Sequence, residues 1–487
     1  MYWRVISVIM TLKRLGFLLN NHCIRTKRLR SSISVAVGAF CLATLLGSSV
    51  TRAQTLSDAL IAAYLNNPTL LASRAALRAT DEGVPQALAN WRPEVTVTGD
   101  YGMSRITNTR NTNSDIDQVR HPRGLGMTLS QPLFRGGRTL AATSEAENSS
   151  RAERARLMDT EQTVLLDAIT AFVNSFRDAA VLRLNVNNEQ VIKRQLEATR
   201  DRFQVGEITR TDVHQAEARL ARAVADRIQS EGDLEISRAN YENVVGEVAP
   251  KQLQAPALPE GMPNDRGEVQ KLAATKNPNV IGAEFDKRAA VDNADEVMGE
   301  LLPTVTLDAE WKRDIQSAAE NGSISTKSLT LNVSVPIYQQ GAVYSRLREA
   351  RQTAAQRTLT IDQQRRDAVE SAAQAWESLL TARARVKAFS TQIEANIVAL
   401  EGVQREAAVG SRTVLDVLDA EQELLDSRVS HVRVQRDELV ASYQLLSAVG
   451  RLTARDLGLG VTRYDPREHY NEVRGKFFGG TSQGGVK

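Results

Sequence analysis

Two carboxylates three residues apart, Asp416 and Asp419, follow a break at Gly410 in the stretch Arg405–Leu424. On a helix that spacing puts both on one face, close to the helix start. In a lone chain they would be ordinary acidic residues favoured by the helix dipole. Turned inward around a threefold axis, the same pair becomes two rings of carboxylates. Such rings attract cations and raise their own pKa values by mutual repulsion. A related stretch lies 204 positions earlier, where Val205, Gly206, Thr209, Asp212, Val213, Ala216, Glu217 and Leu220 match their later counterparts. Position 212 keeps its Asp, whereas Gln215 stands where the second acid would be and Ile208 stands opposite Arg412. The two copies have therefore diverged in charge.

No other constellation points to chemistry. The five histidines, at 22, 121, 214, 431 and 469, are scattered, and neither a zinc-protease motif, a phosphate loop nor a nucleophile elbow is present. His214 reads as a solvated helix residue. Both cysteines, Cys23 and Cys41, precede residue 53, so the chain beyond it has no thiol nucleophile, disulfide or thiolate metal site. The expectation is a protein without enzymatic activity, cofactor or dedicated metal site, with cation attraction at Asp416 and Asp419 the one exception. Eight of the 61 Lys and Arg, and none of the 58 acids, lie in residues 1–53, leaving a net charge of −5 on the remainder. That mild acidity speaks against nucleic acid. Residues 1–53 read as an export signal: a basic segment from Lys13 to Arg30, an apolar run from Ile33 to Leu46, and a small-x-small site at Thr51–Ala53. About 14 apolar residues are too few for a spanning helix, which needs about 20.

The elements that must carry the two tips form a tandem repeat. Residues 54–249 and 269–455 are read as two copies, 250–268 as a Pro-rich linker and 456–487 as a partly disordered tail. Asn67-Pro68 recurs as Asn277-Pro278, each opening a helix of about 20 residues, Pro68–Asn90 and Pro278–Glu300. The period then changes to two, giving strands near 94–103, 124–134, 303–312 and 327–338, joined by loops near 104–123 and 314–326. Each copy continues in one long helix, 138–205 and 342–409, without proline and with Gly402 as the sole glycine. At about 1.5 Å per residue each is roughly 100 Å long. Leu165, Ile169, Phe172, Phe176 and Ala179 step by coiled-coil spacing, with Val369, Trp376 and Leu380 as counterparts. Gly206 and Gly410 end the long helices. Return helices 211–246 and 413–450 are about half as long, so the 20-residue helices are expected to stack on them end to end.

Strands of about ten residues, apolar on one face and polar on the other, have the length and pattern of a membrane β-strand. Tyr101 and Trp311 would sit in an interfacial girdle or under a loop. Four strands cannot close a barrel, and an open edge cannot exist in lipid. Two copies would give eight strands and a lumen filled by side chains. Three would give twelve and a passage.

The stretches VGSRTVLDVLDA (409–420) and VGEITRTDV (205–213), the Asn-Pro helix starts, and the strand ends LSQPLFRGG and VSVPIYQQG resemble TolC-type outer-membrane channels of type I secretion and multidrug efflux. The resemblance spans about residues 54–455. It implies an α+β membrane protein, with four β-strands per protomer in a shared 12-stranded trimeric barrel and a long α-helical coiled-coil tunnel in the periplasm. It also implies a passive duct opened at its periplasmic tip by an adaptor that an inner-membrane ABC or proton-driven transporter recruits. The partners expected are thus two further copies, the adaptor, the transporter and outer-membrane lipid. Asp212, Arg412, Asp416 and Asp419 would form the aperture, with Arg412 partnered by Asp212, and Gly206, Thr209, Gly410 and Thr413 the adaptor-facing turns. Ala407 occupies the position of the family's gating tyrosine. The absent lipobox around Cys41 favours the secretion branch. An elongated periplasmic adaptor is the alternative, although adaptors usually carry one such hairpin rather than a duplicated set with alternating strands.

Overall fold

Helices dominate because Ala-, Leu-, Glu- and Arg-rich stretches run for tens of residues with no breaker. The structure is a computed structural model that describes residues 54–108, 116–250, 252–317 and 321–480. The export signal lies outside the described residues. The first half runs α1 (Leu56–Asn66), α2 (Pro68–Asp81), α3 (Gly83–Ala89), β1 (Glu94–Tyr101), β2 (Ser104–Asn108), β3 (Ile116–Arg120), β4 (Arg123–Arg135), α4 (Arg138–Gln204) and α5 (Arg210–Val245). The second runs α6 (Arg266–Lys276), α7 (Pro278–Gly299), β5 (Thr304–Ile315), β6 (Ser323–Ser334), α8 (Ala342–Ala408) and α9 (Val414–Ala448), followed by α10 (Glu468–Val473).

The sheet order is β1-β4-β5-β6, antiparallel throughout. Register places Val97 opposite Met127, Met127 opposite Trp311, and Leu329 opposite Ala309, so one face is apolar. That face is bare: Val97, Tyr101, Leu329 and Val333 are each 60% exposed or more. The other face carries Thr98, Thr128, Ser130, Asp308 and Glu310. Trp311 is half-buried in its row, whereas Tyr101 projects freely. Among the described residues, the outer edges of β1 and β6 have no partner strand.

The long helices α4 and α8 pack on each other's neighbours rather than on themselves. α4 lies against α5, α7 and α9, while α8 lies against α7 and α9, so α5 and α8 form the two flanks. The stacking joint is an asparagine. Asn67 caps α2 through its Oδ1, and its Nδ2 donates to the Val244 carbonyl at the end of α5, at 2.9 Å. Asn277 does the same for α7, donating to Ala448 O at 3.2 Å. One side chain thus satisfies donors of one helix and an orphan carbonyl of the other.

Several expectations need correction. Each Asn-Pro helix is preceded by a further 11-residue helix, α1 or α6, and α6 takes up the end of the linker from Arg266. Pro68–Asn90 is not one helix: it breaks at Glu82, where Pro85 has no N–H to offer the Asp81 carbonyl. The loop near 104–123 carries its own hairpin, β2–β3. The seam of α4 buries Leu165, Ile169 and Phe172 completely, with Phe172 against Tyr241 at a ring separation of 6.4 Å. In α8 the buried row is instead Ala368, Ala372, Ala375, Leu379 and Ala382. Val369 and Trp376 are half-buried and Leu380 is 42% exposed; the α8 row matches Val164, Ala168, Ala171 and Ser175 of α4, which are buried there too, so α8 keeps one side of the wider face that α4 buries. The tail through residue 480 is ordered by packing: Leu457, Leu459, Val461 and Tyr464 lie on the main core and Val473 is buried. Its glycines had concealed that apolar content.

Candidate functional site

Each long helix ends in the same turn. Gly206 (φ 81°) and Gly410 (φ 80°) are left-handed, where a side chain would be strained. In one turn Glu207 N–H donates to Arg202 O and Gly206 N–H to Phe203 O. In the other, Ser411 N–H donates to Glu406 O and Gly410 N–H to Ala407 O. Both are Schellman closures. The next helix then opens with a capping box, the reciprocal pairing of a Thr with the acid three residues on. Thr413 N–H and hydroxyl donate to Asp416 Oδ2 at 2.9 and 2.8 Å, while Asp416 N–H donates to Thr413 Oγ1 at 3.3 Å. Thr209 and Asp212 repeat this at 2.9, 2.8 and 3.3 Å. The Thr413 N–H, then its hydroxyl and the nearby Arg412 charge, hold the Asp416 carboxyl below its ordinary range. Asp416 is therefore charged at neutral pH.

Arg412 clips its own hairpin. Its Nε donates to Glu406 Oε2 at 2.9 Å, and its Nη1 lies 3.9 Å from Asp416 Oδ1. Within the protomer its partners are therefore Glu406 and Asp416, not Asp212, which is engaged with Thr209. Glu406 was missed by sequence reasoning, though its place at the last turn of α8, six residues before Arg412, was a usable signal. Asp419 forms an ion pair with Arg219 on α5, joining the two hairpins. Nothing local could have revealed that contact, because the residues are 200 positions apart. The tips pack side by side through Ile192, Leu196, Val213, Ala216, Val414 and Leu418. Ala407 is 9% exposed. His214 Nδ1 lies 3.1 Å from Glu217 Oε2, which also accepts Arg200 at 2.7 Å through its other oxygen. Among the described residues no group of three or more His, Cys, Asp or Glu could hold a metal ion, and no helix is long and apolar enough to cross a membrane.

The tip arrangement offers fixed charge, a rigid turn, an exposed carboxylate at Asp419 and a half-buried one at Asp416. It suits binding and gating, and the bare apolar face of the sheet suits lipid. Comparison with known proteins agrees. The outer membrane efflux protein family matches residues 60–247 and 269–451, one segment per copy. The chain is 34% identical to the outer membrane efflux protein BepC of Brucella suis over 450 residues, 91% of this chain and 96% of the relative. It is 23% identical to the outer membrane protein TolC of Escherichia coli, over 84% of this chain and 85% of that protein. Among solved structures, the Campylobacter jejuni CmeC outer membrane channel superposes with a TM-score of 0.74 at 13% identity, covering 93% of this chain and 98% of that one. An adaptor is not what these matches describe. The chain belongs to the outer membrane efflux protein family and is an outer-membrane channel for efflux and secretion, with its helical part in the periplasm.

Proposed function

We propose that three copies assemble so that their four-stranded sheets close a single twelve-stranded barrel across the outer membrane, each copy adding its helices to a tunnel below. The observation that carries this is the sheet itself. It has one apolar face turned to solvent and two unpaired edges, β1 and β6, which lipid does not tolerate. Joining β6 of one copy to β1 of the next removes every edge. The polar face then lines the passage. The flanking helices fit the same plan, since α5 exposes Ile228 and Ile236 and α8 exposes Leu359 and Val398.

At the other end Asp212, Arg412, Asp416 and Asp419 form the aperture. The turns at Gly206, Thr209, Gly410 and Thr413 receive a periplasmic adaptor, recruited by an ABC or proton-driven transporter of the inner membrane. The channel is a passive duct and performs no catalysis. Asp416 and Asp419, repeated three times, make two carboxylate rings that attract multivalent cations. The test is single-channel current in planar bilayers with a trivalent cation added from the tip side. The wild-type channel is expected to be blocked, and Asp416→Asn with Asp419→Asn to weaken the block at least tenfold. Equal block in both proteins would remove the carboxylate rings from the account. For the adaptor, photo-crosslinkers belong at the exposed Glu207 or Ser411, because Thr209 and Thr413 hold the capping boxes.

A further inference from the structure

Far from the tip, α1, α2, α4, α7 and the tail segment 453–467 line an open cavity of about 1050 Å³. Its lining includes seven arginines and two carboxylates, Glu161 and Asp456. Both acids are already engaged: Glu161 Oε1 accepts the Ala454 N–H at 2.7 Å, and Asp456 Oδ2 accepts the Thr453 hydroxyl at 2.8 Å. Burial pushes the Glu161 carboxyl up, against the lowering by the Ala454 N–H and the nearby Arg74 charge. The arginines are not balanced from within. Among the described residues Arg288, Arg455, Arg463 and Arg467 make no ion pair.

One of the seven is held in place. Arg74 is 9% exposed, and its guanidinium lies 4.4 Å from the ring centre of Tyr64 and 5.3 Å from that of Tyr464. It donates to Tyr64 O at 3.1 Å. Arg288 is likewise seated over Phe285, at 4.9 Å. Guanidinium groups seated on aromatic faces, as Arg74 and Arg288 are, or left without an ion pair, as Arg288, Arg455, Arg463 and Arg467 are, suit planar oxyanions. The volume is that of a small-molecule site rather than a flat protein interface.

We infer that this cavity binds a small, multiply charged oxyanion, a compound bearing two or more phosphate or carboxylate groups. The inference rests on the outer-membrane placement only for the direction of access. The α4 part of the lining starts 13 residues below the sheet end of that helix, about 20 Å at helical rise, so the ligand comes from the periplasm and not from lipid headgroups. The seven arginines come from α2, α4, α7 and the tail, so occupancy would tie the tail to both repeats.

Isothermal titration calorimetry on the detergent-solubilised full-length protein tests this, with inorganic tripolyphosphate and citrate as separate probes. The expected result is one site per chain for at least one probe, weakening at least tenfold between ~50 and ~500 mM salt. Whichever probe binds identifies the oxyanion. Arg455→Glu with Arg463→Glu, both at exposed tail positions, should weaken binding at least tenfold, whereas Arg455→Lys with Arg463→Lys should lose less. Absence of binding by both probes at low salt, or equal binding by the charge-reversed protein, would overturn the inference. Channel conductance should be the same in all these variants, which separates failure here from failure of the duct reading.

Discussion

Arg412 decides whether the tip is held by an internal clip or by contacts between copies. Within the protomer it donates to Glu406 and lies 3.9 Å from Asp416, so Arg412→Ser frees Glu406 and takes a positive charge away from Asp416, which stays bonded to Thr413. If the aperture is closed through this arginine, the substitution should raise single-channel conductance several-fold. Unchanged conductance would show that it only fastens its own hairpin. Arg219 gives a second handle, since it pairs with Asp419 and offsets half of the carboxylate pair. Arg219→Ala should therefore strengthen cation block, and weaker block would contradict the placement of Asp419 at the aperture. The pH dependence follows from the capping box. The capping box holds Asp416 low, so its charge and its share of the block persist as pH falls through the ordinary carboxylate range and are lost only at the depressed value. Removing the hydroxyl with Thr413→Val should move the half-block pH upward. In the sequence Thr413 reads as a turn residue and Asp416 as an aperture residue, and the two are not paired, although Thr and Asp three residues apart after a glycine is a local pattern. The Arg219–Asp419 pair was not legible at all, because it depends on how two hairpins are set against each other.

At the scale of elements, the repeat was readable wherever a rule acts within a few residues: the glycine ends of the long helices, the proline starts, the alternating strands. What escaped depends on neighbours. The buried row of α8 starts at Ala368 rather than Val369 because α6, α7 and α9 approach it from a direction periodicity alone does not give. Likewise each Asn-Pro pair is read locally as a helix start, yet the Asn amide also closes the end of a distant helix. Two predictions separate the faces. Phe172 is fully buried against Tyr241, so Phe172→Ala should cost about 3–5 kcal/mol of stability. That is checked by denaturant unfolding, and a loss below ~1 kcal/mol would contradict the packing. Val398 is 71% exposed on the flank of α8. In a lone chain Val398→Asp would change stability by no more than about 0.5 kcal/mol. If this flank meets α5 of another copy, the same change should shift the protein from trimer towards monomer on size-exclusion chromatography, with helicity unchanged. A variant trimer as stable as the wild type would remove this flank from the interface.

For the molecule as a whole, the central claim is incompleteness. One chain supplies an open sheet whose apolar face and two edges lack partners, and two flanking helices with apolar residues turned outward. The family to which it belongs places it in the outer membrane, where such a sheet has to be closed. Closure by further copies satisfies both the strands and the flanks, and the passage at its centre gives the tip carboxylates something to guard. The most direct measurement is the protein mass in detergent-extracted particles, taken by multi-angle light scattering with the detergent contribution subtracted. The account predicts three chains per particle. A stable, monodisperse particle holding one folded chain would contradict it.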